Sequence, residues 1–182
     1  IAEIKEAVVF AHGLGKKVYV TVNIFAHNED IADLPEYLLS LEEAGVDALL
    51  ISDFGVWNIA RQVVPDMSLH VSTQANTCNW AAAQAWKSLG AERVVLAREL
   101  SIEEISEINN KCDVELETFV HGAMCISYSG RCYLSSYLTG RDGNRGECAQ
   151  VCRWNYKLVE QNRPDQEFPI EEDERGTYIM NS

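Results

Sequence analysis

The sequence has no apolar run near the ~18 residues that a transmembrane helix needs, and its longest apolar runs are strand-sized. We therefore predict no membrane span. Basic residues are also scarce, since fifteen Lys and Arg against twenty-eight Asp and Glu leave a net charge of −13. This charge argues against non-specific binding to nucleic acid or to an anionic membrane, so an anionic partner must be bound locally. The peptidase motifs H-E-x-x-H and G-x-S-x-G are absent, as is a paired-aspartate motif.

Strand-like and helix-like periodicities alternate along the chain, which predicts an α/β fold. Short β-branched and apolar runs separated by segments with helical spacing predict strands at 17–23, 48–53, 69–74, 93–99 and 114–121. An open doubly wound sheet and part of an eight-stranded (β/α) barrel both fit this order. No G-x-G-x-x-G follows the first strand, so we favour a TIM-type (β/α) barrel, incomplete here, with a cysteine-rich insertion after the fifth strand.

The expected organisation is one domain within a longer polypeptide, because the first residues already show helical spacing. It comprises barrel units over residues 1–124, a cysteine-bearing insertion over 125–157 and a return to the barrel over 158–182, where GTYIMNS predicts a last strand. In a barrel the carboxyl ends of the strands form the active-site rim. The predicted strands end there in polar residues: Asn23, Asp53, Gln74, Arg98 with Glu99, and His121. The run VSTQAN at 71–76 adds several amide and hydroxyl side chains at the end of one strand.

Four of the six cysteines fall in one stretch, Cys125-x6-Cys132-x15-Cys148-x3-Cys152. An α/β domain of this size does not need disulfides, so the cluster points to a metal site. Four thiolates suit an iron–sulfur cluster or a tetrahedral zinc ion, and disulfides or unliganded thiols remain an alternative. Residues 131–157 carry five basic and two acidic side chains, a net charge of +3 that leaves −16 on the rest of the chain. Such a segment could offset cluster charge or attract an anionic substrate.

The segment ETFVHGAMCISYSGRCYLS at 117–135 resembles the signature of peptidase family U32, and the stretches at 15–28 and 70–101 are similar to that family too. The resemblance implies an incomplete (β/α) barrel and two competing activities. Some members are described as collagenase-like peptidases. Others are hydroxylation proteins with a [4Fe–4S] cluster on four cysteines, acting on the wobble uridine of tRNA, on an rRNA cytidine or on the ubiquinone ring. Prephenate is associated with the tRNA branch.

The resemblance implies Cys125, Cys132, Cys148 and Cys152 as cluster ligands. Hydroxylation needs a redox cofactor, which the cysteines would supply, whereas a peptidase needs an activated nucleophile. A Cys125–His121 pair is conceivable, but four clustered thiols favour metal ligation. We therefore expect an iron–sulfur-dependent enzyme that hydroxylates an RNA base. The alternatives are a collagenase-like peptidase acting on a protein or peptide, and a zinc-stabilised barrel that binds a partner without catalysis.

The candidate site residues follow from these expectations. Arg98 would bind a carboxylate or phosphate through its planar guanidinium, and Glu117 and His121 would hold or move a proton. Substrate contacts are expected from Asn23, Asp53, Gln74, Arg131 and Arg145. Prephenate is expected as a co-substrate. The expected partner is tRNA or another RNA, bound through regions partly outside this fragment. The expected location is the cytoplasm.

Overall fold

A five-stranded parallel sheet forms the centre of the fold, and its strands are hydrogen-bonded in the order in which they occur in the sequence. The computed structural model describes residues 1–122, 124–168, 170–173 and 176–179. The strands are β1 Tyr19–Val22, β2 Ala48–Ile51, β3 Leu69–Val71, β4 Arg93–Val95 and β5 Glu115–Glu117. The α/β class and all five strands are thereby confirmed, although each strand is shorter than the sequence predicts because its polar end leaves the hydrogen-bonded ladder.

One helix precedes β1, and four more connect consecutive strands at the segments where the sequence shows helical spacing. The five helices are α1 Ala2–Gly13, α2 Asn28–Glu43, α3 Phe54–Val63, α4 Trp80–Ser88 and α5 Ile102–Lys111. Two spacings in the sequence predict capping boxes, Ser101 with Glu104 and Asp33 with Glu36. The first is confirmed at the start of α5. The second is wrong. Helix α2 begins earlier, because the Asp30 carboxylate already accepts the N–H of His27 at 2.7 Å.

The helices cover one face of the sheet. Right-handed crossovers between consecutive parallel strands return every helix to the same side. Strand residues pack there against the helices. The fully buried residues include Leu49, Ile51, Leu69 and Val71 of the strands and Leu38 and Leu41 of α2. Alternate strand residues point to the opposite, uncovered face, where they form a polar layer of Tyr19, His70, Arg93, Glu115 and Glu117. Within the described residues, β1 and β5 are unpaired sheet edges and the sheet is open.

Residues 118–149, here called the cysteine loop, follow β5 and contain mostly turns. A 3₁₀ turn at Tyr128–Gly130 is followed by the short helix α6 at Leu134–Thr139 and by a second 3₁₀ turn at Gly143–Arg145. Polar residues of the loop are buried nonetheless: Ser129, Ser135 and Asn144. The loop is therefore an ordered layer that hydrogen bonds hold to the sheet.

The chain divides into two compact units, 1–149 and 150–182. The second unit contains a 3₁₀ turn at Val151–Arg153 and two antiparallel pairs, β6 Leu158–Glu160 with β7 Arg163–Phe168 and β8 Ile170–Asp173 with β9 Gly176–Ile179. Strand β9 contains the first four residues of the predicted last strand, and the remaining three lie outside the described residues. The domain boundaries at 124 and 157 stay a prediction. No helix in the described part of the chain is both long and apolar enough to span a membrane.

Candidate functional site

Polar side chains at the carboxyl ends of β1, β2 and β3 bond to one another. Asn23 follows β1 and donates from Nδ2 to the Ser72 Oγ after β3, at 3.0 Å. The Ser52 hydroxyl after β2 donates to the Asn23 carbonyl at 3.2 Å. Asp53 lies at the same edge, but its Oδ1 accepts the Val56 N–H at 2.9 Å and so caps α3. Polar residues thus lie together at this edge of the sheet, and the Asp53 side chain caps α3.

Arg98 follows β4, and its side chain has two hydrogen-bond donors without a partner in the described residues. Its guanidinium carbon lies 4.5 Å from the centre of the Phe119 ring. Within the part of the chain that the structure describes, its buried Nε and Nη1 have no hydrogen-bond partner, and neither has the buried Oε1 of Gln74. A methyl group on Gly130 would lie 3.6 Å from Arg98 Nη1 and 3.7 Å from Gln74 Cγ. Unpaired buried polar groups are costly, so this pair is the part of the rim that keeps unused hydrogen-bonding capacity.

The cysteine loop is held onto the rim next to this pair. Arg131 donates from Nε and Nη2 to the Gln74 carbonyl at 3.2 and 2.8 Å, and its guanidinium carbon lies 5.6 Å from the centre of the Phe25 ring. Gly130 and Arg131 are neighbours in the chain. The structure therefore brings Gln74, Arg98 and Arg131 together, as the sequence analysis expects of substrate-contacting residues.

A second attachment joins Ser129, which the sequence analysis did not single out, to Glu99 of the rim and to Asn76 of the polar run. Ser129 is fully buried with a φ of 46°, a left-handed conformation that is unusual for serine. Its N–H donates to Glu99 Oε1 at 2.7 Å, and its hydroxyl donates to Asn76 Oδ1 at 2.8 Å. The Cys78 thiol donates to the same Asn76 oxygen at 3.2 Å. The polar run VSTQAN was the signal that could have identified Asn76.

A third attachment lies between Cys132 and Cys148. The buried Asn144 side chain accepts the Cys132 N–H at 3.0 Å and donates to the Cys132 carbonyl at 2.9 Å. Its own carbonyl accepts the Phe25 N–H at 2.9 Å. Next to it, Arg145 forms an ion pair with Asp30 of α2. Asn144 thus fixes the backbone at one predicted ligand, while Arg145, expected to contact substrate, is bound to α2.

The cysteines differ in their surroundings. All six lie within the described residues and none forms a disulfide. The Ser127 hydroxyl and the N–H groups of Leu134 and Ser135 lower the pKa of Cys132, against an opposing effect of burial. The Leu134 N–H lies 3.3 Å from the Cys132 sulfur. In contrast, burial raises the pKa of Cys112. Cys132 therefore has the hydrogen bonds that stabilise a thiolate, the form that binds metal.

Cys125 and Cys148 are exposed in the first unit, and Cys152 is exposed in the second. A methyl group on Gly143 would lie 3.5 Å from the Cys148 Cβ, so that turn runs along the Cys148 side chain. No three His, Cys, Asp or Glu side chains of the described residues are arranged as a metal site.

The two predicted proton-transfer residues lie apart from this cluster of contacts. Glu117 is the last residue of β5, and its Oε2 accepts from Arg93 Nη1 at 3.1 Å on the uncovered face of the sheet. Arg93 also pairs with Glu115 at 2.7 Å. His121 is exposed in the first turn of the cysteine loop. Glu117 is thus part of an ion network with Arg93.

The whole chain is similar to known proteins. The profile described as "Peptidase family U32" matches residues 1–182. The chain is 51% identical over 160 residues to the tRNA hydroxylation protein P1 of Bacillus subtilis (strain 168), covering 88% of this chain and 38% of that protein. It is 39% identical over 158 residues to the 23S rRNA 5-hydroxycytidine synthase of Escherichia coli (strain K12), covering 87% of this chain and 24% of that protein.

A solved structure of a U32 peptidase has a similar fold, with a TM-score of 0.55 at 21% identity, covering 64% of this chain and 51% of that one. The chain therefore spans well under two thirds of the length of these proteins. The family profile extends over the units of the parallel sheet and the cysteine stretch alike. On this match, and on the identity to the named relatives, the chain belongs to peptidase family U32.

Proposed function

We propose that this chain is the part of an iron–sulfur-dependent enzyme that hydroxylates an RNA base, of the tRNA wobble-uridine type. The names of the relatives support this, since they describe hydroxylation of tRNA and of an rRNA cytidine. The observation that carries the proposal is the attachment of the cysteine loop beside Arg98. Gly130 lies against the unpaired guanidinium, and Cys132 follows two residues later with its thiolate-stabilising hydrogen bonds.

The donor set fits an iron–sulfur cluster in its chemistry. None of the four thiols forms a disulfide in the described structure, and Cys132 is hydrogen-bonded as a ligating thiolate would be. Cys125, Cys132, Cys148 and Cys152 would hold the cluster, a set that the family resemblance implies. When bound, a [4Fe–4S] cluster supplies the redox chemistry that protein side chains lack. Zinc on the same thiols would supply a structural link only.

Arg98 is proposed to bind the anionic part of a substrate or co-substrate. An anionic oxygen would accept from Nε or from Nη1, the two unpaired donors, which point in different directions, and Gln74 would orient a donor group through its unpaired Oε1. Prephenate has two carboxylates, which suits a guanidinium site of this kind. Asn23 extends the polar rim from the β1 side, and Asp53 supports it through the α3 cap.

The remaining candidates receive roles that agree with their contacts. Arg131 and Arg145 are proposed to act by positioning the cysteine loop, since both hold it to the sheet side. His121 remains the candidate to hold or move a proton, because Glu117 balances the charge of Arg93. We also propose that the parallel sheet is part of an eight-stranded barrel, because sequential strand order with all helices on one face is the arrangement of a barrel segment. A tRNA-modifying role places the protein in the cytoplasm.

A peptidase is the second candidate, supported by the structural neighbour, which is described as a U32 peptidase. It would use an exposed thiol such as Cys125 as the nucleophile, and it would require neither iron nor RNA.

The test is iron and acid-labile sulfide content of the full-length protein purified without oxygen, together with nucleoside analysis for the gain of one oxygen. Cys132→Ala should lose iron and RNA hydroxylation, whereas Cys112→Ala, a control at a buried cysteine outside the loop, should keep both. Arg98→Lys should keep iron and lose hydroxylation, because a lysine cannot reproduce the separate donors of the guanidinium. Wild-type protein without iron, or peptide cleavage that survives Cys132→Ala and chelation, would overturn the proposal.

A further inference from the structure

Two tyrosines of the cysteine loop are almost fully exposed. Tyr133 is 76% exposed and Tyr137 is 85% exposed, just beyond Cys132. The Tyr137 N–H donates to the Tyr133 carbonyl at 2.9 Å, so the two residues are one helical turn apart. Residues at this spacing project from the same face of a helix. The loop therefore presents two aromatic rings side by side to solvent.

The orientation of this turn is fixed from its other side. Ser135 is 1% exposed, and its hydroxyl oxygen accepts the Ala149 N–H at 3.0 Å. Its carbonyl accepts from the Thr139 hydroxyl at 2.7 Å. At about 100° per residue, a position two residues away points to the opposite side of the helix. Anchoring Ser135 inward thus holds Tyr133 and Tyr137 outward.

Positive charge accompanies the two rings. Arg141 is exposed directly after α6, and its N–H donates to the Thr139 Oγ1 at 3.2 Å. The two other arginines of the cysteine loop, Arg131 and Arg145, are bonded to groups outside the loop. Within the described part of this loop, Arg141 is therefore the arginine that is available to an anionic polymer.

Two exposed aromatic rings with an exposed arginine four residues further along the chain suit unpaired nucleotides. Bases stack on tyrosine faces with little dependence on sequence, while Arg binds the phosphate. Bases in a duplex are already stacked on each other and cannot reach such rings, so recognition of this kind selects loops, bulges and ends. The rings lie in the same loop as three of the candidate cluster ligands, Cys125, Cys132 and Cys148, where nucleotides next to a reacting base would run.

We propose that Tyr133 and Tyr137 form a stacking platform for unpaired RNA nucleotides next to the modified base, with Arg141 as a phosphate contact. The proposal rests on the proposed function and names the surface that holds its substrate. The partner is single-stranded RNA, and the two tyrosines are not part of the hydrophobic core.

The test is RNA binding by the full-length protein, with an RNA hairpin whose unpaired loop contains 2-aminopurine beside a uridine. Anisotropy gives the affinity, and quenching of 2-aminopurine fluorescence reports stacking. Tyr137→Leu should weaken binding about five- to a hundredfold and reduce the quenching. Tyr137→Phe keeps the ring and should behave as wild type. Phe10→Leu, at a 71% exposed aromatic on α1, is the matched control and should change neither signal.

Arg141→Gln should lower the slope of log affinity against log salt by about 0.7, the value for one phosphate contact on a single strand. Wild-type affinity and quenching in Tyr137→Leu would overturn the proposal. So would a loss of self-association or of protein binding in Tyr137→Leu with RNA binding intact, because the rings would then belong to a protein interface.

RNA binding is measured without turnover, so it tests the platform separately from hydroxylation. If wild-type protein hydroxylates RNA and Tyr137→Leu binds RNA normally, the platform is wrong and hydroxylation stands. If wild-type protein binds RNA and quenches the 2-aminopurine fluorescence through the tyrosines but does not modify RNA, hydroxylation is wrong and the platform stands.

Discussion

Arg145 and Asp30 form a bidentate ion pair across 115 residues of sequence, with both nitrogen–oxygen distances at 2.7 Å. A third hydrogen bond runs from Arg145 Nη1 to the Phe25 carbonyl at 3.0 Å. The pair joins the cysteine loop to the first turn of α2. The Arg145 guanidinium, helped by the His27 N–H, holds the pKa of the Asp30 carboxyl well below its ordinary value of 3.8.

This ion pair predicts acid sensitivity of the cysteine loop. Because the folded-state pKa of Asp30 is lowered, its ionised form stabilises the attachment above pH 3.8, and that stabilisation is lost as the pH falls below this value. Hydrogen-exchange protection at Asn144 and Arg145, corrected for intrinsic rates, should therefore fall on acidification in wild type. In Asp30→Asn it should already be low at neutral pH and depend less on pH. Asp66→Asn, at an exposed carboxylate, should follow wild type, and a pH profile shared by all three proteins would refute the role of the pair.

Asn144 predicts a direct effect on stability. Removing its amide in Asn144→Ala leaves both the N–H and the carbonyl of Cys132 without their partner at a buried site. The free energy of unfolding should drop by about 1–3 kcal/mol, the usual cost of unsatisfied buried groups. Urea unfolding measures it. Asn110→Ala, on the exposed side of α5, should change stability little, and equal losses in both variants would show that Asn144 has no special role.

The layout of the sheet could be predicted because apolar spacing alone determines it. Leu38 and Leu41 lie on one face of α2, and alternate residues of β2 such as Leu49 and Ile51 lie on one face of the sheet. The start of α2 could not be predicted, since Asp30 and Asp33 are both acceptable capping residues in sequence. The choice depends on Arg145, which contacts Asp30 only in the folded chain.

The site was predictable in position and less so in its contacts. Because parallel strands end at the same edge, polar residues after them had to lie near each other, as Asn23 and Ser72 do. The partners of the cysteine loop were not predictable in the same way. Ser129 bonds to Glu99 and Asn76, which are 30 and 53 residues away, and no periodicity encodes a side-chain hydrogen bond over that distance.

The bond from the Ser129 N–H to Glu99 predicts local order in the loop. In Glu99→Ala this buried amide loses its acceptor, so its exchange rate should rise about tenfold, as expected for the loss of one hydrogen bond. Hydrogen exchange followed by NMR measures it at the single amide. Glu103→Ala, at an exposed carboxylate in the first turn of α5, is the control. An unchanged Ser129 exchange rate in Glu99→Ala would show that the hydroxyl bond to Asn76 suffices.

His70 of β3 predicts a dependence of stability on pH near neutrality. It is 4% exposed, its ring centre lies 4.9 Å from that of Tyr19, and its Nε2 is 3.3 Å from the Ser68 Oγ. Burial first, and then the positive charge of Arg93, lower its pKa below the ordinary 6.5, although the carboxylates of Glu92, Glu115 and Glu117 act in the opposite direction.

The unfolded chain then binds a proton at a higher pH than the folded one. Stability contributed by neutral His70 is full above pH 6.5 and is lost as the pH falls through the interval between the two pKa values. Urea unfolding of His70→Gln across this range should show a flatter pH dependence than wild type. His121→Gln removes an exposed histidine and should retain the wild-type slope. If His121→Gln flattened the curve instead, the titrating group would lie in the cysteine loop and not in the sheet.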